Sequence, residues 1–174
     1  FFLITPSEHS VLRTLRSRSQ VIHFSAIPKD ELKKSTGAPD WIIESSQGRF
    51  DVIEDLKDPA QNELRLLAID HLLRFAQSSF KEYSHFTKEV LKDKGNSLKI
   101  LSFHQQIIRD ALYLQQGLDH PIHSDQKEAL TPLVSLPTAT LHEIFEKLLR
   151  LEKDLYGNVD KQLAYENLYL QTTI

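Results

Sequence analysis

Arg13, Arg16 and Arg18 fall within six residues of one another in the stretch Val11–Phe24, V-L-R-T-L-R-S-R-S-Q-V-I-H-F. Three guanidinium groups at the end of a short helical segment, directly before an apolar strand, are suited to meet phosphate or carboxylate on a neighbouring surface. The charge pattern is compatible with two chemistries. One is a solvated helix end with loose ion pairs. The other is an arginine finger, a guanidinium set against a neighbour's nucleotide to neutralise charge that develops on the γ-phosphate during hydrolysis.

The remaining chemistry-bearing residues give weaker patterns. Among eight histidines the densest cluster is Asp119-His120-Pro121-Ile122-His123 with Asp125. It is flanked by Gly117, Pro121 and Pro132 and reads as a loop; zinc takes three or four convergent ligands, which this spacing does not assemble. Asp70-His71 lies within a helical pattern, where adjacent side chains point apart, so the two do not form an acid–base pair unaided. His23, in the expected strand, reads as packed. No nucleophile-elbow sequence is present. There is no G-x-x-x-x-G-K-[ST], and five glycines leave no phosphate-cradling loop, so this stretch does not bind and hydrolyse a nucleotide alone. The absence of cysteine excludes disulfides, thiol catalysis and cysteine-ligated zinc, and fits a reducing compartment.

The elements that must position these residues follow from pattern and punctuation. Phe1–Ile4 is a continuous apolar run of strand length, as in a sheet covered on both faces. Ser7 then caps a short helix with Glu8 in its first turn and Val11, Leu12 and Leu15 on its buried face. Gln20–Phe24 is a second short strand. Strand, helix, strand is the closing part of an α/β unit. Three short helices follow: one from Pro28, one from Pro39-Asp40 closed by Gly48, and one over Arg49–Lys57 that buries Phe50, Val52 or Ile53, and Leu56. Asp58-Pro59 restarts the chain with a cap and a first-turn proline. Beyond it the periodicity is helical. The spacing predicts a helix through Phe80 that continues to Leu91 after a bend, a break at Lys92–Asn96, a helix from Leu98 closed by Gly117, and a shorter one over Asp125–Val134. Thr138–Tyr156 is next, with Gly157 as cap, and a last helix is capped by Asp160. These amphipathic segments should pack antiparallel as a bundle.

The chain has 174 residues, 40% apolar and 26% charged, the proportions of an ordinary soluble globular protein. A net charge of -3 provides no overall basic field for nucleic acid, so any DNA contact has to be local or shared with partner chains. No apolar run approaches the ~20 residues of a membrane span. The sequence contains no methionine, so Phe1 is expected to be an internal position of a longer protein.

Phe2-Leu3-Ile4-Thr5, followed by Leu12-Arg13-Thr14-Leu15-Arg16-Ser17-Arg18-Ser19-Gln20-Val21-Ile22-His23-Phe24, resembles the sensor-1 strand and the Ser-Arg-Cys motif of bacterial clamp-loader subunits of the AAA+ class. Leu155 to Leu168 is similar to that family's last collar helices, and Ile107-Ile108-Arg109-Asp110-Ala111-Leu112 resembles the collar's Arg-Asp segment. The likeness spans nearly the whole chain in family order, and is greatest to the delta-prime type of DNA polymerase III subunit. Ser19 stands where the family has Cys, and Lys161-Gln162 replaces a proline-containing step. No arginine falls unambiguously at the sensor-2 position: Arg49 is near, but sliding the alignment at Gly48 puts Asp51 there instead.

The resemblance implies a mainly α fold: 1–24 as the end of an AAA+ α/β nucleotide-binding domain, 25–58 as a helical lid and 59–174 as a helical collar. It implies a non-motor subunit of the DNA polymerase III clamp loader. Arg18 would be the finger supplied in trans to ATP bound by a partner subunit, Thr5 would hold the sensor-1 position, and Ser17 would set the motif's geometry. No cofactor is expected within this stretch itself. The implied partners are gamma/tau and delta subunits in a hetero-pentamer, with primed DNA and the sliding clamp reached through the assembly; no membrane is involved and the setting is cytoplasmic. Whether the chain is enzymatic is left open. A gamma/tau-type motor subunit and a purely structural helical interaction module are the alternative readings.

Overall fold

Ten α-helices account for the regular structure of the described residues, which in this computed structural model are 1–5, 7–92, 96–156 and 159–172. They are α1 (Arg13–Arg16), α2 (Lys29–Thr36), α3 (Asp40–Ser46), α4 (Phe50–Leu56), α5 (Pro59–Gln77), α6 (Phe80–Val90), α7 (Ser97–Gln115), α8 (Thr131–Val134), α9 (Thr138–Tyr156) and α10 (Lys161–Gln171). Single 3₁₀ turns lie at Glu8–Ser10 and Ser124–Gln126. None of these helices is long and apolar enough to cross a membrane.

α7 is the axis of the bundle. Ile100, Leu101, Phe103, His104, Ile107, Ile108 and Ala111 are all buried, which covers more than one face. It packs against α9, α5 and α8; α6 lies on α5 and α10, and α10 closes onto α9. Leu141, Ile144, Leu148 and Leu151 repeat at three- and four-residue steps and give α9 its buried stripe. α2, α3 and α4 pack on one another, and α4 packs on α5, so that Leu32, Trp41, Ile42, Ile43 and Ile53 join the same hydrophobic core as the long helices.

Local chemistry sets the helix ends. The Asp58 carboxylate accepts the Ala60 N–H at 3.0 Å with Pro59 in the first turn, and Asp160 accepts the Leu163 N–H at 3.0 Å, as expected from their positions. The expected bend between α5 and α6 is a full break. The Ser79 N–H and hydroxyl both donate to Glu82 Oε2, at 3.1 and 2.8 Å, and this capping box starts α6 afresh. After Gln115 the chain turns through Gly117 at φ 73°, with the Leu118 N–H returning to the Tyr113 carbonyl at 3.1 Å. The helix expected over Asp125–Val134 is instead the 3₁₀ turn and α8: Pro132 has no N–H with which to continue a helix from upstream, and α8 begins with it in its first turn. The expected cap at Gly157 lies outside the described residues, as do positions 93–95 of the expected break.

The N-terminal third departs most from expectation. No strand forms among the described residues, and 1–5 and 20–28 carry no regular structure. Strand backbone needs a neighbouring strand to take its N–H and C=O groups, and none lies beside these segments. An α/β remnant therefore has no sheet here to show it. The expected first helix divides into the 3₁₀ turn and the four-residue α1, and its apolar face is not covered: Leu12 is 71% and Leu15 51% exposed. His23 is exposed rather than packed. In α4, Ile53 and Leu56 are buried but Phe50 is largely exposed.

At the α3–α4 corner the left-handed residue that ends α3 is Gln47 (φ 51°), and Gly48 follows at φ 85°. A Cβ built at Gly48 would lie 2.5 Å from Ala26 Cβ, and the Gly48 carbonyl accepts the Ile27 N–H at 3.3 Å. This close approach fastens the extended N-terminal segment to the short helices. Gly48→Ala is expected to cost more than about 1 kcal/mol in urea unfolding, because it combines a disfavoured φ with a steric clash. Gly37→Ala, at φ 62° but with open space around its Cβ position, should cost less.

Candidate functional site

The arginine segment is exposed. α1 ends at Arg16, Ser17 is its cap, and the Ser17 N–H donates to the Arg13 carbonyl at 3.0 Å. The Ser17 hydroxyl donates to the Thr14 carbonyl at 3.1 Å and the Ser19 hydroxyl to the Leu15 carbonyl at 2.7 Å, while the Arg18 N–H reaches the Leu15 carbonyl at 3.1 Å. Two serines thus hold the turn that carries Arg18. Arg13, Arg16 and Arg18 form no ion pair with any described residue; Arg13 and Arg18 are exposed and Arg16 is half-buried.

Thr5 is engaged locally. Its Oγ1 donates to the Ser7 carbonyl at 2.9 Å and lies 2.6 Å from Ser10 Oγ. No hydrogen bond joins Thr5 to Ser17 or Arg18, so the three candidate residues are not assembled into one constellation within this chain. Arg49, nearest the expected sensor-2 position, is committed: Nε and Nη2 reach the two carboxylate oxygens of Asp51 at 3.2 and 2.5 Å.

The histidine–aspartate loop disperses. The Asp119 carboxylate pairs with Lys127 at the surface, His120 is exposed, and His123 is buried. The carboxylate of Asp110, itself fully buried, accepts the N–H groups of Ile122 and His123 at 2.9 and 2.8 Å and fixes this loop to α7. Burial pushes the Asp110 carboxyl up, against the opposing pull of those two N–H donors. Burial also lowers His123 to about 4, helped by the Arg65 charge. Among the described residues no group of three or more His, Asp and Glu is placed to hold a metal.

Asp125 turns inward to Arg65, whose side chain is only 2% exposed. Nη1 and Nη2 of Arg65 donate to the two Asp125 oxygens at 2.9 and 2.7 Å, Nε donates to Asn62 Oδ1 at 3.1 Å, and Cζ lies 4.1 Å from the Trp41 ring centroid. One guanidinium therefore ties α5 to α3 and to the 3₁₀ turn through a bidentate pair and a cation–π contact. The Arg65 donors hold the Asp125 carboxyl below its usual range.

A second buried network runs through the centre of the bundle. The Thr87 hydroxyl donates to the Tyr83 carbonyl at 2.8 Å, so Thr87 Oγ1 is an acceptor for His71 Nε2 at 2.9 Å. His71 then carries its proton on Nε2, and its Nδ1 accepts from His104 Nε2 at 3.3 Å. His104 Nδ1, left as an acceptor, takes the Tyr165 hydroxyl at 3.0 Å. Every donor in this run has one direction, which fixes both imidazoles as neutral with the proton on Nε2. Burial lowers His71 to about 3 and His104 well below its ordinary value, and pushes the Tyr165 phenol well up. The run links α6, α5, α7 and α10, and both histidines serve the bundle's interior.

Arg65 and His104 stand in no motif, yet the sequence carries a signal for both. Arg65 lies at the same spacing as Ala68, Ile69 and Leu72, and His104 at that of Ile100, Ile107, Ile108 and Ala111. Polar residues on an apolar stripe announce a buried partner.

Residues 60–173 match the family described as DNA polymerase III, delta subunit, C terminal. No curated protein and no solved structure matches the chain significantly.

Proposed function

The chain belongs to the family of DNA polymerase III delta subunits, through their C-terminal domain, and on that footing we propose that it is a non-motor, delta-prime-like subunit of a clamp loader. In this reading Arg18 is offered in trans to ATP bound by the adjacent motor subunit, and the helical bundle from residue 59 onward supplies the contacts of the collar. Residues 25–58 form the lid, and 1–24 close the nucleotide-binding domain, with Thr5 at the sensor-1 position. Gamma/tau and delta subunits complete the hetero-pentamer, which acts on primed DNA and the sliding clamp.

The observation that carries the reading is Arg18 itself: an exposed guanidinium with no partner among the described residues, on a turn held by Ser17 and Ser19. A finger must be free to meet a phosphate that another subunit holds, and its planar fork suits the oxygens of a γ-phosphate. The family match beginning at residue 60, directly after the Asp58-Pro59 helix start, supports placing the collar there. The ion pair of Arg49 with Asp51 disfavours the motor-subunit alternative, because it occupies the arginine nearest the sensor-2 position.

Arg18→Ala in the full-length protein is expected to leave assembly intact and to lower the DNA-stimulated ATPase of the reconstituted loader by the share that the neighbouring site contributes. Arg18→Lys should be nearly as damaging, since an ammonium lacks the fork. Unchanged ATPase in an assembled complex containing Arg18→Ala would remove the finger assignment. Failure to bind loader subunits in a pull-down would favour the structural-module alternative.

A further inference from the structure

We infer that the exposed face of α6 is a docking strip for the phosphate backbone of DNA, built from Lys81, His85 and Lys88 and extended by Lys92 just past the helix end. Their spacing of four, three and four residues places them within one narrow arc of the helix surface. All four side chains are exposed, and none forms an ion pair or hydrogen bond with a described residue. Lys81 and Lys88 stand about 10 Å apart along the axis, from seven residues at 1.5 Å each.

A lysine-rich helix face is commonly balanced by acids nearby, and here those acids are occupied. Glu82 is held by Ser79 in the capping box. On α5 the Asp70 carboxylate takes Arg74 at 3.1 Å, and on α10 Glu166 Oε1 accepts Ser84 Oγ at 2.6 Å and Gln162 Nε2 at 2.7 Å. Glu89, at the flank of the strip, is the one acid of α6 without a partner among the described residues. The strip is therefore a local excess of positive charge on a chain whose net charge is -3. A row of three lysines and a histidine on one face, with no apolar side chain among them, fits a linear polyanion better than the mixed surface of a folded protein. Membership in a DNA polymerase III family makes DNA the polyanion to which we commit. The proposal does not depend on the role of Arg18.

The test is the double variant Lys81→Gln/Lys88→Gln, reconstituted into the full loader, with affinity for a fluorescent primer–template measured across a salt series. Each lost phosphate contact reduces the log–log salt slope by about 0.9 and the affinity about fivefold near 0.15 M salt. The double variant should thus lose about two from the slope and bind some twenty- to thirtyfold more weakly. Lys153→Gln, an exposed lysine on α9, should change neither. An unaltered slope in the double variant overturns the proposal, and so does an equal loss in Lys153→Gln. Displacement of wild-type loader from the primer–template by polyglutamate as efficiently as by duplex DNA would also overturn it in favour of an acidic protein partner. ATPase at saturating DNA should be retained in the double variant, which separates this outcome from loss of the Arg18 finger.

Discussion

Asp125→Ala is expected to destabilise the protein by about 3 kcal/mol, more than Arg65→Met at the other end of the same ion pair. The asymmetry follows from burial: the Arg65 side chain is 2% exposed and Asp125 43%. Without Asp125, the guanidinium stays among α3, α5 and the 3₁₀ turn with only Asn62 and the Trp41 ring to offset its desolvation. Leaving one member of a buried pair uncompensated costs about 3–5 kcal/mol, and the half-exposed partner here points to the lower end of that range. Arg65→Met removes the charge, keeps most of the volume against Trp41, and leaves Asp125 free to turn to water, so its cost should stay below about 1.5 kcal/mol. Asp125→Asn, which keeps one acceptor, should fall between them. Equilibrium urea unfolding at pH 7 of the three variants gives the ranking; if Arg65→Met proves the most damaging, the clamp is held by packing rather than by charge compensation.

The contrast between what was and was not legible in the sequence has the same physical root. Helix ends set by neighbours within a few residues could be read directly, as at Asp58-Pro59, at Asp160 and over Thr138–Tyr156. Features that need a partner far along the chain could not. Phe1–Ile4 and Gln20–Phe24 have the composition of strands, but a strand requires a second strand, and none of the described residues forms one beside them. The split at Pro132 is marked locally but masked by Leu130, Leu133 and Val134, which keep a helical spacing across it. Spacing groups Asp125 with its loop neighbours His120 and His123, whereas its partner lies 60 residues away on α5. As for the candidate site, motif order singled out Thr5, Ser17 and Arg18. Periodicity contributed nothing there, since an exposed turn leaves no apolar pattern.

Acid should unfold this protein steeply, and the His71–His104 pair should be the main cause. Both imidazoles are held neutral by burial, with His71 lowered to about 3, while an unfolded histidine titrates near its ordinary value of 6.5. Between those values the unfolded state binds more protons than the folded state. The stability contributed is therefore complete above about pH 6.5 and is lost as pH falls toward the folded-state values. Each such group gives about 1.4 kcal/mol per pH unit, and with His123 lowered to about 4 the three together reach roughly 4 kcal/mol per unit near pH 5. Asp110 works in the opposite sense. Its raised carboxyl value makes the folded state the better proton acceptor just above the ordinary carboxylate range, and this offsets part of the loss at the acid end. At neutral pH the network should respond unevenly to mutation. His104→Leu leaves both His71 Nδ1 and the Tyr165 hydroxyl buried without a partner, at a cost of about 3 kcal/mol or more. The triple variant His71→Phe/His104→Leu/Tyr165→Phe removes those orphaned groups together, keeps an aromatic ring stacked on Tyr83, and leaves the Thr87 hydroxyl bonded to the Tyr83 carbonyl. It should be more stable at pH 7 than His104→Leu alone, and its dependence on pH should fall to about 1.4 kcal/mol per unit, the share of His123. Urea unfolding at pH 7, 6 and 5 compares the slopes, and equal slopes in wild type and triple variant would show that the acid sensitivity originates outside this pair.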